Sequence, residues 1–248
     1  MKLLTPVLLC LATLTGGSQA CALTCQQVDH LGNSYTVCEV DAATDDLRLF
    51  LRDDMGEILG QFSDVAQSLT NRNYLAFAMN AGMYHPNRAP VGLYVENNIE
   101  FSKLLTKPSK GNFGMLPNGV FCIRSKRIDV FETLTYVGRK PNCRYASQSG
   151  PMLVINGNLH HRFLPKSTSR YIRNGVGTSE NGSRAAFAIS NNKVTFYEFA
   201  LLFKEVLATP NALYFDGKVS RLHAPSLNRS DAGFWMGPIV GVIDQDGL

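Results

Sequence analysis

Four short polar constellations in this 248-residue chain combine side chains suited to holding a ligand hydroxyl or a phosphate or to acid–base work, and each lies beside an apolar run or a glycine. Asn80-Ala81-Gly82-Met83-Tyr84-His85 follows the run Tyr74 to Met79. The Asn80 amide both donates and accepts, and Gly82 permits close backbone approach or a positive φ. Ala146-Ser147-Gln148-Ser149-Gly150-Pro151 precedes another apolar run, and Ser149 with Gly150 offers a hydroxyl and backbone donors suited to phosphate oxygens. No serine nucleophile elbow accompanies them, so Ser149 is not read as an attacking group. Arg170, Arg173, Asn174 and Gly175 bring two guanidinium forks, which suit a phosphate or carboxylate. Asp216-Gly217-Lys218-Val219-Ser220 presents a carboxylate after Leu213 to Phe215, where it can serve as acid, base or metal ligand. Each has a plainer reading, since Asn-Gly and Asp-Gly are ordinary turns and paired arginines are ordinary on a solvated face. His85, His160, His161 and His223 show no metal-ligand spacing, and glycine-rich nucleotide loops are absent.

The elements that must position these groups are mainly strands. Tyr35 to Val40, Leu47 to Leu51, Tyr74 to Met79, Val91 to Val95, Gly119 to Ile123 and Leu213 to Phe215 read as strands, with a turn at Glu96 to Asn98. Ile58, Leu59, Phe62, Val65, Ala66 and Leu69 recur at helical spacing. Residues 101 to 119 read as a surface excursion, and Phe131 to Tyr136 as the approach to a strand or a strand itself. Met152 to Ile155, Asn156-Gly157 and Leu159 to Phe163 read as a hairpin. A second runs along Arg184 to Ile189 and returns along Lys193 to Tyr197; a helix over Glu198 to Leu207 follows, with Phe199, Leu202, Phe203 and Val206 facing inward. The expected fold is a single α+β domain with a mixed, mostly antiparallel sheet core and a few packed helices.

The chain opens as an exported protein does. Lys2, the apolar run Leu3 to Leu14 and the small residues ending at Ser18 and Ala20 read as a signal peptide over residues 1–20. Its apolar core is too short to span a bilayer, and no later segment is long enough. Cys21, directly after Ala20, leaves a lipid anchor at that residue open. A periplasmic or secreted location follows. The net charge of +4 is scattered, which argues against nucleic acid as a partner and leaves an anionic small substrate allowed. Cys10 leaves with the signal, and Cys21, Cys25, Cys38, Cys122 and Cys143 remain, an odd number for an oxidising compartment. Four of them pair in three ways; nearness along the chain favours Cys25 with Cys38 and Cys122 with Cys143, without deciding the matter.

In order along the chain, Asn80 to His85, Pro90 to Tyr94, Gly111 to Phe113, Pro117 to Phe121, Gln148 to Leu153, Arg173 to Gly177 and Asn211 to Gly217 resemble the motifs of the phosphodiester glycosidase family, which includes the mammalian lysosomal uncovering enzyme. The likeness is nearest to a bacterial branch and covers about residues 45–225, with 21–44 as an N-terminal segment and 226–248 as a C-terminal tail. It implies hydrolysis of the bond between a sugar's anomeric carbon and a phosphodiester, giving free sugar and a phosphomonoester. It implies Asp216, Asn80 and Arg173 as catalytic residues, with Gly82, Tyr84, His85, Gln148, Ser149, Gly150, Asn174, Gly217 and Ser220 around a sugar-phosphate or envelope glycan. No cofactor is required, and a divalent ion such as calcium beside Asp216 is left open. A second carboxylate is not chosen among Glu57, Glu180 and Glu198. Many family members carry Asp-Gly-Gly-Gly-Ser-Ser where this chain has Asp216-Gly217-Lys218-Val219-Ser220, so the floor of the site differs. The alternative is an envelope protein that binds glycan or phosphoglycan without turnover.

Overall fold

A computed structural model describes residues 23–216 and 219–245. The signal segment, Cys21, Gly217 and Lys218 lie outside the described residues. In chain order the elements are β1 (Thr24–His30), β2 (Asn33–Asp41), β3 (Asp46–Phe50), α1 (Phe62–Ser68), β4 (Asn73–Asn80), β5 (Tyr94–Glu96) and β6 (Ile99–Ser102). Then come β7 (Gly119–Arg124), β8 (Arg127–Glu132), α2 (Thr133–Arg139), β9 (Tyr145–Ser149), β10 (Met152–Ile155), β11 (Asn158–Leu159) and β12 (Asn174–Thr178). The chain finishes with β13 (Arg184–Ser190), α3 (Phe196–Leu201), β14 (Asn211–Asp216), β15 (Leu222–Ala224), β16 (Arg229–Ser230) and β17 (Ile239–Gln245). The fold is α+β, as its sequence led one to expect.

Three antiparallel sheets form, ordered β1-β2-β13-β12-β14-β10-β11, β16-β15-β4-β17-β3 and β6-β5-β9-β7-β8. They meet at Phe77, Phe121, Phe187 and Phe215, all fully buried, with ring centroids 5.0 Å apart for Phe77 and Phe187 and 5.7 and 5.8 Å from Phe121 to Phe187 and Phe215. Period-two alternation explains the layering around β13: Ala185, Phe187 and Ile189 enter this central core, while Ala186 and Ala188 face a second core that includes Phe199 and Phe203. The disulfides are Cys25–Cys38 and Cys122–Cys143, closing separations of 13 and 21 residues. Loops of that size contribute roughly 3 kcal/mol each by constraining the unfolded chain. Among the described residues no helix is long and apolar enough to cross a membrane.

Several local expectations are corrected. Lys193 to Tyr197 is not a returning strand, because Thr195 caps a helix: its Oγ1 accepts from Glu198 N at 3.1 Å and its N–H donates to the Glu198 carboxylate at 2.8 Å. That reciprocal box outweighs the β preference of the residues before it. The helix then widens over Leu202–Val206, and Val206 is rotated outward, 43% exposed. Helix α1 starts at Phe62, since Ile58 bridges Arg52 in extended backbone. The arm after Asn156-Gly157 pairs only through Leu159, after which the chain turns back with Phe163 N–H donating to His160 O. Phe131 lies near the end of β8, not the start of a strand, and α2 follows, capped by the Glu132 carboxylate. The strand expected from Val91 starts at Tyr94 and pairs with β6, so the excursion begins only after Ser102. Residues on both sides of 45–225 are woven into the sheets, with β2 paired to β13, β1 at the edge beyond β2, and β17 lying between β4 and β3.

Candidate active site

β4 ends at Asn80, β12 begins at Asn174 and β14 ends at Asp216, so three strand ends from two sheets converge. Asn80 and Asn174 are fully buried and bonded to each other. The Asn174 amide donates to Asn80 Oδ1 at 2.8 Å and to Asn80 O at 3.1 Å, and Asn80 Nδ2 donates to Asn174 Oδ1 at 3.2 Å. The remaining acceptor capacity holds the turn that follows β14. Asp216 N–H donates to Asn174 Oδ1 at 3.1 Å, and Arg221 N–H donates to Asn80 Oδ1 at 3.0 Å. Ser220 Oγ donates to Asp216 O at 2.7 Å across the turn. Unpaired buried amides are costly, so this reciprocal pair specifies a single arrangement of both turn ends.

Held this way, the half-buried Asp216 lines a depression of about 580 Å³ with Met83, Tyr84, His85, Pro86, Arg88, Val219 and Phe234. Burial, and then the charge of Asp216, raises the Tyr84 pKa, while Arg88 and Arg221 oppose the shift. Tyr214 is likewise raised, by burial first and with Asp216 contributing, against the nearby Arg173. Both phenols therefore stay neutral beside the carboxylate at neutral pH. The Arg88 guanidinium lies 5.4 Å from the Tyr84 ring centroid, and among the described residues no carboxylate forms an ion pair with it. The exposed His85 stands on the same rim.

The other expected site residues lie behind this surface. Arg173 is 1% exposed; its Nε donates to Val194 O at 2.9 Å, Nη2 donates to Ser169 O at 3.2 Å, and its guanidinium lies 3.6 Å from the Phe196 ring centroid. Burial lowers its pKa, and its charge and that of Asp216 act in opposite directions on Tyr214. Arg170 does not join it, being paired with Glu198 at 3.0 Å. Gln148 is consumed as a structural tie: its Oε1 accepts from Leu93 N and Leu105 N, and its Nε2 donates to Leu105 O. Ser149 is buried and donates to Phe215 O at 2.9 Å. Gly150 packs where a Cβ would stand 2.6 Å from Asn118 Cβ. Gly82, at φ 153°, would bring a Cβ to 2.8 Å from Ser147 Oγ. None of Glu57, Glu180 and Glu198 lines the depression. Among the described residues no three His, Cys, Asp or Glu side chains converge.

A family model described as phosphodiester glycosidase matches residues 73–228. The Escherichia coli (strain K12) protein "Uncharacterized protein YigE" is 32% identical over 190 residues, which is 77% of this chain and 73% of that protein. The chain belongs to the phosphodiester glycosidase family. Two solved structures share the fold. The catalytic domain of zebrafish N-acetylglucosamine-1-phosphodiester alpha-N-acetylglucosaminidase, auto-inhibited by its pro-peptide, aligns with TM-score 0.57 and 11% identity over 89% of this chain and 81% of its own. A hypothetical protein from Synechocystis aligns with TM-score 0.57 and 12% identity over 89% of this chain, which spans 61% of that structure. The segment matched to the phosphodiester glycosidase family contains the asparagine pair, Tyr84, His85, Arg88 and Asp216, and stops short of Phe234. Arg88 and Phe234 went unread in the sequence. Arg88 sits in a turn with no periodicity, only three residues beyond His85, and Phe234 lies in a loop brought to the site by the fold.

Proposed function

We propose that the depression at Asp216 binds a sugar-1-phosphodiester and hydrolyses the bond between the anomeric carbon and the phosphate oxygen. The observation that carries this is a half-buried carboxylate, its backbone held by the Asn80–Asn174 pair, that lines an open depression together with the Arg88 guanidinium within the family's matched segment. Water adds to the anomeric carbon as the carbon–oxygen bond breaks. The Asp216 carboxylate takes the proton of that water and balances the positive charge spreading over the sugar. The electron pair of the broken bond leaves on the phosphate oxygen, and the products are the free sugar and a phosphomonoester. A phosphate is a stable anion, so the leaving group needs charge stabilisation more than protonation; Arg88 and the rim at His85 supply it. Tyr84 walls the sugar with its ring, its hydroxyl donating to Trp235 O at 3.2 Å. Asn80, Asn174, Ser220 and the buried Arg173, through Tyr214, are positioning residues in this reading.

Residues 21–248, assayed for phosphomonoester release from sugar-1-phosphodiesters, should turn over. Asp216→Asn should lower kcat by about 10²- to 10⁴-fold, with the urea midpoint measured beside it to separate lost chemistry from lost folding. Full activity in that variant would remove Asp216 from the mechanism. The usual glycosidase has two carboxylates and this depression has one, which favours as second reading a binding protein that holds phosphoglycan without turnover. Saturable binding of the same compounds with no product would select it. The two disulfides suit an oxidising compartment, and we place the protein in the periplasm or outside the cell. The mass of the mature chain distinguishes simple cleavage before Cys21 from lipid attachment there.

A further inference from the structure

The loop from Asp231 to Met236 is fixed through its backbone while its two aromatic side chains remain in solvent. Arg221, 6% exposed, donates from Nε and Nη2 to Asp231 O at 2.9 and 2.6 Å and from Nη1 to Phe234 O at 3.0 Å. Gln61 Nε2 donates to Gly233 O at 3.0 Å, Tyr84 Oη to Trp235 O at 3.2 Å, and Met236 N–H to Gly60 O at 2.8 Å. On this backbone Phe234 is 83% exposed and Trp235 50% exposed. Burial of such side chains is favourable, so an ordered loop that withholds both from the core leaves apolar surface for a ligand to cover.

The two rings face different spaces. Phe234 lines the Asp216 depression. Trp235, the next residue, lines a second cleft of about 670 Å³ with Arg48, Arg52, Asp53, Asp64 and Gln67. The indole packs on Gly60, where a Cβ would come within 2.8 Å of the ring, and the rest of the ring is open. A pyranose matches this chemistry, because its C–H faces pack on aromatic rings while its hydroxyls bond to carboxylates, amides and guanidinium groups. The carboxylates of Asp53, Asp54, Asp64 and Glu96 in the same cleft disfavour an anionic lipid surface as the occupant.

We propose that Phe234 and Trp235 form two successive saccharide contacts on one loop, so that the substrate is an oligosaccharide 1-phosphodiester with its reducing-end sugar at Asp216 against Phe234 and its next sugar reaching over the loop onto Trp235. This rests on the reading of the Asp216 depression as a sugar site. Trp235 is the chain's one tryptophan, so its emission reports the cleft whether or not turnover occurs. Chito- and cello-oligosaccharides of one to three sugars, and phosphatidylglycerol vesicles, are titrated against the Asp216→Asn variant. Di- and trisaccharides should shift the emission saturably, with half-saturation about tenfold below that of the monosaccharides. Trp235→Ala should raise KM about tenfold for a disaccharide 1-phosphodiester and leave a monosaccharide one unchanged, with Trp235→Tyr restoring the disaccharide KM. No shift with any saccharide, a shift with vesicles alone, or an equal change in both substrates would overturn the proposal. An emission response without phosphomonoester release by the wild type would retain the subsite and reject the hydrolase, while release without a response would do the reverse.

Discussion

Asp216 is held at both ends of its backbone, its N–H by Asn174 and its carbonyl by Ser220. Exchange of the side chain for an isosteric amide leaves both of these bonds in place and tests the chemistry of the carboxylate. Arg88 is the corresponding group for the anion. A guanidinium over an aromatic ring at the rim of a depression, without a carboxylate pair among the described residues, is available to two phosphate oxygens. Arg88→Ala should raise KM for a sugar-1-phosphodiester about tenfold and Arg88→Lys by less, in steady-state kinetics. Unchanged KM in both variants would place the phosphate elsewhere. Asp216, Tyr84 and His85 were legible because they follow apolar runs that end at the surface. Arg173 was read as a ligand because sequence displays its charge but not its burial. Asn80 and Asn174 were found as polar residues at strand ends, but their bonding to each other across 94 positions is a property of the fold.

At the scale of elements, the Asn80–Asn174 pair and the Asp231–Met236 loop are one device, because the Arg221 backbone bonds to Asn80 and its side chain anchors the loop. Arg221→Ala should release the Asp231 and Phe234 carbonyls together. Trp235 should become more accessible to acrylamide quenching, and stability should fall by about 1–3 kcal/mol in urea titration. Quenching equal to the wild type would show that the loop is held without this side chain. Local signals were informative where they were strong and short in range. The Asn156-Gly157 turn formed as read, whereas the capping box of Thr195 and Glu198 was overlooked in favour of β propensity. β12, Asn-Gly-Val-Gly-Thr, escaped notice because glycine weakens a strand in isolation. Its glycines are demanded by tertiary contact, Gly175 against the Leu213 carbonyl and Gly177 against Thr209 and Phe203.

Over the whole molecule, the α+β class was legible from the many short apolar runs, but their assembly into three sheets around four phenylalanines was not. Strand order depends on contacts such as β17 with β4, far apart in the chain, and β17 itself lay in a segment read as a tail. Stability should also depend on pH through His160, which is 1% exposed and whose pKa is pushed down from 6.5 to about 4, by burial first and then by the His161 charge. Between those values the unfolded chain binds more protons than the native one, so stability is present above about pH 6.5 and is lost as pH falls toward 4. The loss should be on the order of 2 kcal/mol in urea titrations across that window, and His160→Gln should flatten it. The central claim concerns which bond of the substrate breaks. Hydrolysis of a sugar-1-phosphodiester in ¹⁸O-labelled water, followed by mass spectrometry of both products, addresses it directly. Attack at the anomeric carbon places the label in the sugar and leaves the phosphomonoester unlabelled, as expected here; label in the phosphomonoester would mean attack at phosphorus and would contradict the glycosidase account.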